Sequence, residues 1–369
     1  AGTGTYFGFT EIENGEMIVT GAISNTNEVR VLDGPLDGAG RLTINGGSIT
    51  NSGGTTVQAG AALDVSGTGS MFTQTGATTL DVAGDLLVSD FGQYSTGTGL
   101  TTVLGTITRT GTGELNVTGD LLLDGGRFLT PGGDFDRTAG QTLTVQNGGQ
   151  FDATPPQRTP SQSGAAGGTI STNDDVTLVD GTIRVDGSDS RVSSAFNGGT
   201  LISSGFAQLS GNSLISLRGG DASTPGGFPT ANGGGGGALN SNGTLTLSGT
   251  SSLELSGGDA VYFGDSGGGG DGGDGGAVTS SGSTELLGPS PIVLHGGSGH
   301  LPEGGPGHRG GAAGTFQVSG GTTRLAQSSA VHLIGGRGGV GDISEAGGPG
   351  GDGGNLIVSD GQLTLDGAS

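Results

Sequence analysis

The residues best suited to chemistry in this chain are aspartates set among glycines. The stretches GGDGGD (Gly269 to Asp274) and GGPGGD (Gly347 to Asp352) carry Asp271, Asp274 and Asp352. They match the first six positions of the nonapeptide GGxGxDxUx, in which carboxylates and carbonyls of a tight turn surround a calcium ion. The large apolar residue of that pattern is replaced by Gly276 and Gly354, and the nonapeptides are not in tandem. Dedicated calcium turns are therefore not expected. Incidental or bridging calcium on these carboxylates stays open, and no other cofactor is expected.

The four histidines are His295, His300, His308 and His332. Three lie near one glycine-rich stretch, where imidazoles could gather on a transition metal. Their irregular spacing and lack of partner ligands favour plain surface histidines. NDD (Asn173 to Asp175) and GSGH (Gly297 to His300) are similar to fragments of the polygalacturonase motifs. More than 120 residues separate the two, and no Arg-Ile-Lys follows, because the chain has no lysine. Glycosidic chemistry needs two carboxyl groups about 5 to 9.5 Å apart, and consecutive Asp174 and Asp175 read as a solvated turn. GGRGGVGD (Gly335 to Asp342) lacks the Lys-Ser/Thr of a phosphate loop and a following helix. No catalytic residue is assigned, and an enzyme is not expected.

Composition narrows what could position such groups. Of 369 residues 88 are glycine and only 12 proline, and the formal charge is −22 at pH 7. Glycine does not recur at every third position, which excludes collagen. All 12 basic residues are arginine; such an acidic surface repels nucleic acid, whose binding needs cations against phosphates. Without cysteine there is neither a disulfide framework nor a thiolate metal site. No apolar run approaches the ~20 residues that span a bilayer. The chain begins at Ala1, as signal-peptide removal or an internal fragment would leave it, and export is the expectation.

Periodicity supplies the scaffold. A GG pair closes an apolar run at Gly219-Gly220, Gly257-Gly258, Gly296-Gly297 and Gly335-Gly336, at steps of 38, 39 and 39 residues. Three apolar series keep nearly the same step. They are Leu209, Leu247, Leu286, Leu325 with Leu365 one residue late; Ile215, Leu253, Ile292, Val331 with Leu217, Leu255, Leu294, Leu333 two places on; and Leu239, Val278, Phe316, Leu356. The runs alternate as half-buried strands do, and no helical spacing competes. Three series per repeat predict an all-β, three-sided parallel β-helix (β-solenoid).

The glycine segments 219–237, 257–276, 296–311 and 335–354 leave every coil at one corner, so they must lie side by side along the C-terminal half. Glycine lets neighbouring backbones approach closely, in extended or polyglycine-II-like form. In the first half, glycines end apolar runs at Gly46, Gly67, Gly84, Gly105, Gly125 and Gly148, which reads as successive coils of about 20 residues. Residues 1–152 are thus expected to be N-terminal solenoid coils. Residues 153–168, rich in Pro, Gly and Ser, are a surface insertion, and 169–369 continue the solenoid with repeats of about 39 residues. A single column is expected.

Aromatics concentrate at Tyr6, Phe7 and Phe9 and again at Tyr262 and Phe263. These are candidates to cap a coil end, anchor a loop tip or dock on another subunit. Arg191, Arg218, Arg309, Arg324 and Arg337 could pair with aspartates across coils. The C-terminal stretch SDGQLTLDGAS aligns with SNGTLTLSGTS (Ser241 to Ser251), so the sequence stops midway through a repeat. An uncovered coil end is sticky, so either more chain follows or another subunit completes the coil.

VSGTGSMFTQTGATTLDVAG (Val65 to Gly84) and GTGELNVTGD (Gly111 to Asp120) resemble the GxGSxxxxxGxLxVG repeats of bacterial autotransporter passengers and related surface proteins. The later GGxGG repeats are similar to glycine-rich inserts of large bacterial surface proteins. The resemblance implies a bacterial cell surface or extracellular matrix. It fits a structural solenoid that self-associates into a filament or matrix. An adhesin passenger binding glycans or host matrix is the alternative, and a polysaccharide-active β-helix enzyme the third.

Overall fold

The computed structural model describes residues 4–6, 10–25, 27–34, 38–131, 135–136, 141–155, 165–190, 194–225, 231–263, 269–300, 307–339 and 347–366. Phe7, Phe9, Arg191 and most of the 153–168 segment lie outside them. The chain divides into two compact units. The first comprises Ala1–Thr130, Asp136–Asp152 and Thr172–Asp174, the second Pro131–Phe135, Ala153–Ser171 and Asp175–Ser369.

In the first unit short strands form three parallel faces. The first face runs from Gly4–Tyr6 through Ala22–Asn25, Ser48–Asn51, Met71–Gln74 and Gln93–Ser95 to Glu114–Asn116. The second carries Val29–Val31, Thr55–Val57, Leu80–Val82, Thr101–Val103 and Leu121–Asp124, and the third Arg41–Asn45, Ala62–Ser66, Asp85–Ser89, Thr106–Arg109 and Arg127–Leu129. Strand alternation sends every second side chain inward, and the registers pile those into columns. Val31, Val57, Val82, Val103, Leu123 and Val145 form one. Leu42, Leu63, Leu86, Ile107, Phe128 and Phe151 form another, and all twelve residues are buried. Phe72 stacks on Tyr94 with ring centres 4.8 Å apart, as does Phe128 on Phe151. Beside them runs a buried polar column. Asn25 donates to Asn51 (3.1 Å), and the Tyr94 hydroxyl donates to Gln74 (3.3 Å).

The glycine markers of this unit need a correction. Gly46 and Gly67 follow third-face strands, whereas Gly84, Gly105, Gly125 and Gly148 lie between the second and third faces. The short interval from Gly67 to Gly84 is therefore a change of corner rather than a short coil. The in-register marker of the second corner is Gly84, Gly105, Gly126 and Gly149. At each of these a Cβ would overlap a carbonyl oxygen.

In the second unit all three predicted series pair in register. Leu209, Leu247, Leu286, Leu325 and Leu365 are successive partners, as are Ile215, Leu253, Ile292 and Val331, and Leu239, Val278, Phe316 and Leu356. Their members up to Leu286, Ile292 and Phe316 are fully buried. Leu365 is not displaced; the extra residue is taken up in the preceding glycine segment. The strands Thr315–Ala326 and Asn355–Asp366 run through two faces without a break, and in the former Gly320 and Gly321 take positive φ at the corner. Ala153 is buried in this unit and donates its amide to the Arg184 carbonyl, so the segment expected as a surface insertion begins as built structure.

Candidate functional site in the glycine layer

After each third-face strand of the second unit, the chain runs out and back beside the coils before entering the strand Thr200–Ser203, Ala238–Ser241, Ala277–Ser280, Thr315–Ala326 or Asn355–Asp366. The outgoing limbs pass through Gly220, Gly258, Gly297 and Gly336, the returning limbs through Phe196, Gly234, Gly273, Gly311 and Gly351. One zigzag of backbone bonds joins them: Gly220 to Phe196, Gly234 to Gly220, Gly258 to Gly234, Gly273 to Gly258, Gly297 to Gly273, Gly311 to Gly297, Gly336 to Gly311 and Gly351 to Gly336, each amide donating over 2.7 to 3.0 Å. A Cβ on Gly258, Gly297 or Gly336 would overlap the carbonyl oxygen one coil back. None of these glycines has positive φ, so close approach of backbones, not a left-handed turn, requires them. The layer begins before the glycine pairs indicate: Phe196 donates its amide to the Ser188 carbonyl and Ser188 to the Ala165 carbonyl, so residues 185–199, where glycine is sparser, and 165–167 before them already belong to it.

Aspartate and asparagine side chains lace the coils together. Asp189 Oδ1 accepts the Asp221 amide (2.9 Å), Asp221 Oδ1 the Asp259 amide (2.8 Å) and Asp259 Oδ1 the Ser298 amide (2.6 Å). In parallel columns Asn232 Oδ1 accepts from Asp271 (3.0 Å) and Asp271 Oδ1 from Arg309 (2.8 Å); Asn197 Oδ1 accepts from Gly235 and Asp274 Oδ1 from Ala312, both at 2.7 Å. A side-chain oxygen thus replaces a carbonyl for an amide that the corner geometry would orphan, which buried backbone cannot tolerate.

This accounts for the aspartates singled out first. Asp271 and Asp274 each spend an oxygen on the next coil, and Asp352 holds the Arg309 guanidinium at 2.5 Å. Among the described residues no group of three His, Asp or Glu could hold a metal ion. Asp175 Oδ1 likewise accepts the Phe206 amide (2.9 Å). Arg324 pairs with Asp366 at 2.7 Å, one coil on, although plain exposed charge is the stronger expectation from sequence for each arginine. His295 and His332 lie on third-face strands in different registers, while His308 Nδ1 sits 3.2 Å from Asp271 Oδ1. Tyr6 pairs in register with Asn25; Tyr262 and Phe263 pair with Thr224 and Pro225 in a two-stranded parallel ribbon at the layer's margin.

The sequence reading missed the Asp189, Asp221 and Asp259 column, although its signal was legible, since Asp221 and Asp259 both directly follow a GG pair. Along the outer side of the layer Asn197, Asn232, Asp271, Asp274 and Arg309 line a shallow trough of about 530 Å³ with a glycine floor.

Burial first, and then the neighbouring Asp189 and Asp259 charges, push the Asp221 pKa above 3.8, against the amide of Asp259 and the Arg218 charge. An acid whose pKa is higher in the fold than in the unfolded chain costs stability above that pKa and regains it as pH falls through it. Asp221→Asn keeps the accepting oxygen and removes the charge. It should stabilise the layer at neutral pH, with the gain over the parent shrinking as pH falls towards 4, measured by thermal unfolding across pH.

These registers, three faces and flanking layer define the class: a three-sided parallel β-solenoid, built without a helix among the described residues. No described helix is long and apolar enough to cross a membrane, which says nothing of strands. No protein-family model and no curated protein matches the chain. Among solved structures it is similar to the TibC-catalyzed hyper-glycosylated TibA55-350 fragment, at 12% identity and a TM-score of 0.23, over 96% of this chain and 94% of that one. The strand registers alone carry the fold assignment.

Proposed function

We propose that the chain is an exported structural β-solenoid of a bacterial surface or extracellular matrix, without catalysis, and that it self-associates through a coil edge. The observation supporting this is the strand Asn355–Asp366. Leu356, Ile357, Leu363 and Leu365 are 40 to 62% exposed there, although Leu356 and Leu365 stand in columns that are buried in earlier coils. A further parallel coil would cover that edge, whether a continuation of the chain or a second copy supplies it, and on this reading a second copy can. Sedimentation and negative-stain imaging over a concentration series test it. Concentration-dependent rods that Leu365→Lys abolishes are the expected result; discrete monomers at tens of micromolar would remove self-association from the reading.

The polar trough favours a second reading, an adhesin passenger that takes up glycans. Asn232, Asp271 and Arg309 offer both donors and acceptors there. A glycan array in which Asn232→Ala loses the signal would support it, and an array without hits would count against it.

A further inference from the structure

We infer that Asn147–Gly148, at a corner of the first unit, is a site of self-modification, where the chain converts its own carboxamide to a carboxylate without an enzyme. The step is an attack by the glycine amide nitrogen on the asparagine side chain. A bond forms from Gly148 N to Asn147 Cγ, the Cγ–Nδ2 bond breaks, and the departing nitrogen takes the amide proton and leaves as ammonia. Water then opens the resulting succinimide at either carbonyl, giving aspartate or isoaspartate. A glycine amide already committed to a hydrogen bond keeps its proton and its place, so the attack needs a free one.

The sequence holds six Asn-Gly pairs, and the fold closes four of them. Gly46 donates its amide to Ser70 Oγ (2.7 Å), while Gly198, Gly233 and Gly243 donate to the carbonyls of Gly235, Asp271 and Gly205, each over 2.9 Å. In a fifth pair, Asn14 holds its carboxamide against the carbonyls of Glu13 and Gly38, at 3.3 and 3.0 Å. The corner at Asn147 is open by comparison. Both residues are exposed, with φ of 52° and 80° in the left-handed region that Asn and Gly tolerate, and the Gly148 amide has no protein partner. A Cβ on Gly148 would meet nothing within 4 Å.

Conversion has a structural consequence here. The Asn147 carboxamide donates to Asp124 Oδ1 one coil back (2.5 Å), so the product sets a carboxylate against a carboxylate, and like charges repel. The isoaspartate form also adds a backbone methylene to the turn that the Gly149 amide closes on the Gln146 carbonyl (2.9 Å). Both changes push on Gly149, whose close approach to the Leu123 carbonyl leaves no room for a Cβ.

Peptide mass mapping of the intact chain after incubation at mildly alkaline pH tests the site. Asn147 should convert at least about fivefold faster than Asn45, Asn197, Asn232 and Asn242, the factor in rate that freeing one backbone hydrogen bond costs. In urea, which unfolds the chain, the five rates should converge. Asn147→Asp mimics the product; it should melt below the parent chain and recover when Asp124→Asn is added. Conversion of Asn147 no faster than at the four closed pairs, or an advantage that persists in urea, would overturn the site. An Asn147→Asp chain as stable as the parent would overturn its effect on the corner.

Discussion

Alanine at Gly297 is expected to lower the stability of the second unit by about 3 kcal/mol, the upper part of the usual range for forcing extra volume into packed structure. The obstacle is the carbonyl oxygen of Gly258. A side chain could turn away from a new methyl group, but a backbone held by the zigzag cannot. The matched control is Gly353, which is exposed, has nothing within 4 Å of an added Cβ and lacks positive φ. Alanine there should be neutral, or stabilising by up to about 1 kcal/mol through the unfolded chain. Solenoids open locally, so urea unfolding should be accompanied by amide exchange at Gly273 and Gly311, the two limbs bonded to Gly297. Equal stability of Gly297→Ala and Gly353→Ala would mean that the limbs slide apart freely, and the layer would not be a packed structure.

The second large effect lies in the core. Leu286→Ala is expected to cost about 2 to 5 kcal/mol, because Leu286 is fully buried between Leu247 and Leu325 in a column that cannot close over the missing atoms. Leu365, at the other end of the same column, is 62% exposed, and its truncation should cost less than about 1 kcal/mol in the isolated chain. If association covers the Asn355–Asp366 edge, that cost should grow under conditions where rods form, so comparing Leu365→Ala at low and high protein concentration links stability to assembly.

The sequence by itself determined the column. A side chain can stack on its equivalent one coil away only if the repeat length is kept, so Leu209, Leu247, Leu286 and Leu325 announce their register through spacing alone. The recurrence of glycine pairs likewise placed the second layer at one corner. What spacing could not convey was which oxygen each amide would find. Asp221 and Asp271 are ordinary acidic residues in the sequence, and GGDGGD matches only the first six positions of a calcium turn. Only the stacking of coils puts their carboxylates beside the amides of Asp259 and Arg309.

The corner positions were also decided in three dimensions. Gly125 and Gly148 catch the eye because they end apolar runs, yet Gly126 and Gly149 are the residues whose missing Cβ lets one coil settle on another. The coil of residues 185–199 has neighbours on both sides, Ser188 bonding the Ala165 carbonyl and Gly220 the Phe196 carbonyl, and its few glycines, Gly187, Gly198 and Gly199, stand where a Cβ would meet neighbouring backbone. Periodic hydrophobicity shows in residue types and their spacing and so survives in the sequence, whereas which backbones crowd and which side chain caps which amide 32 to 39 residues away exist only once the coils are stacked.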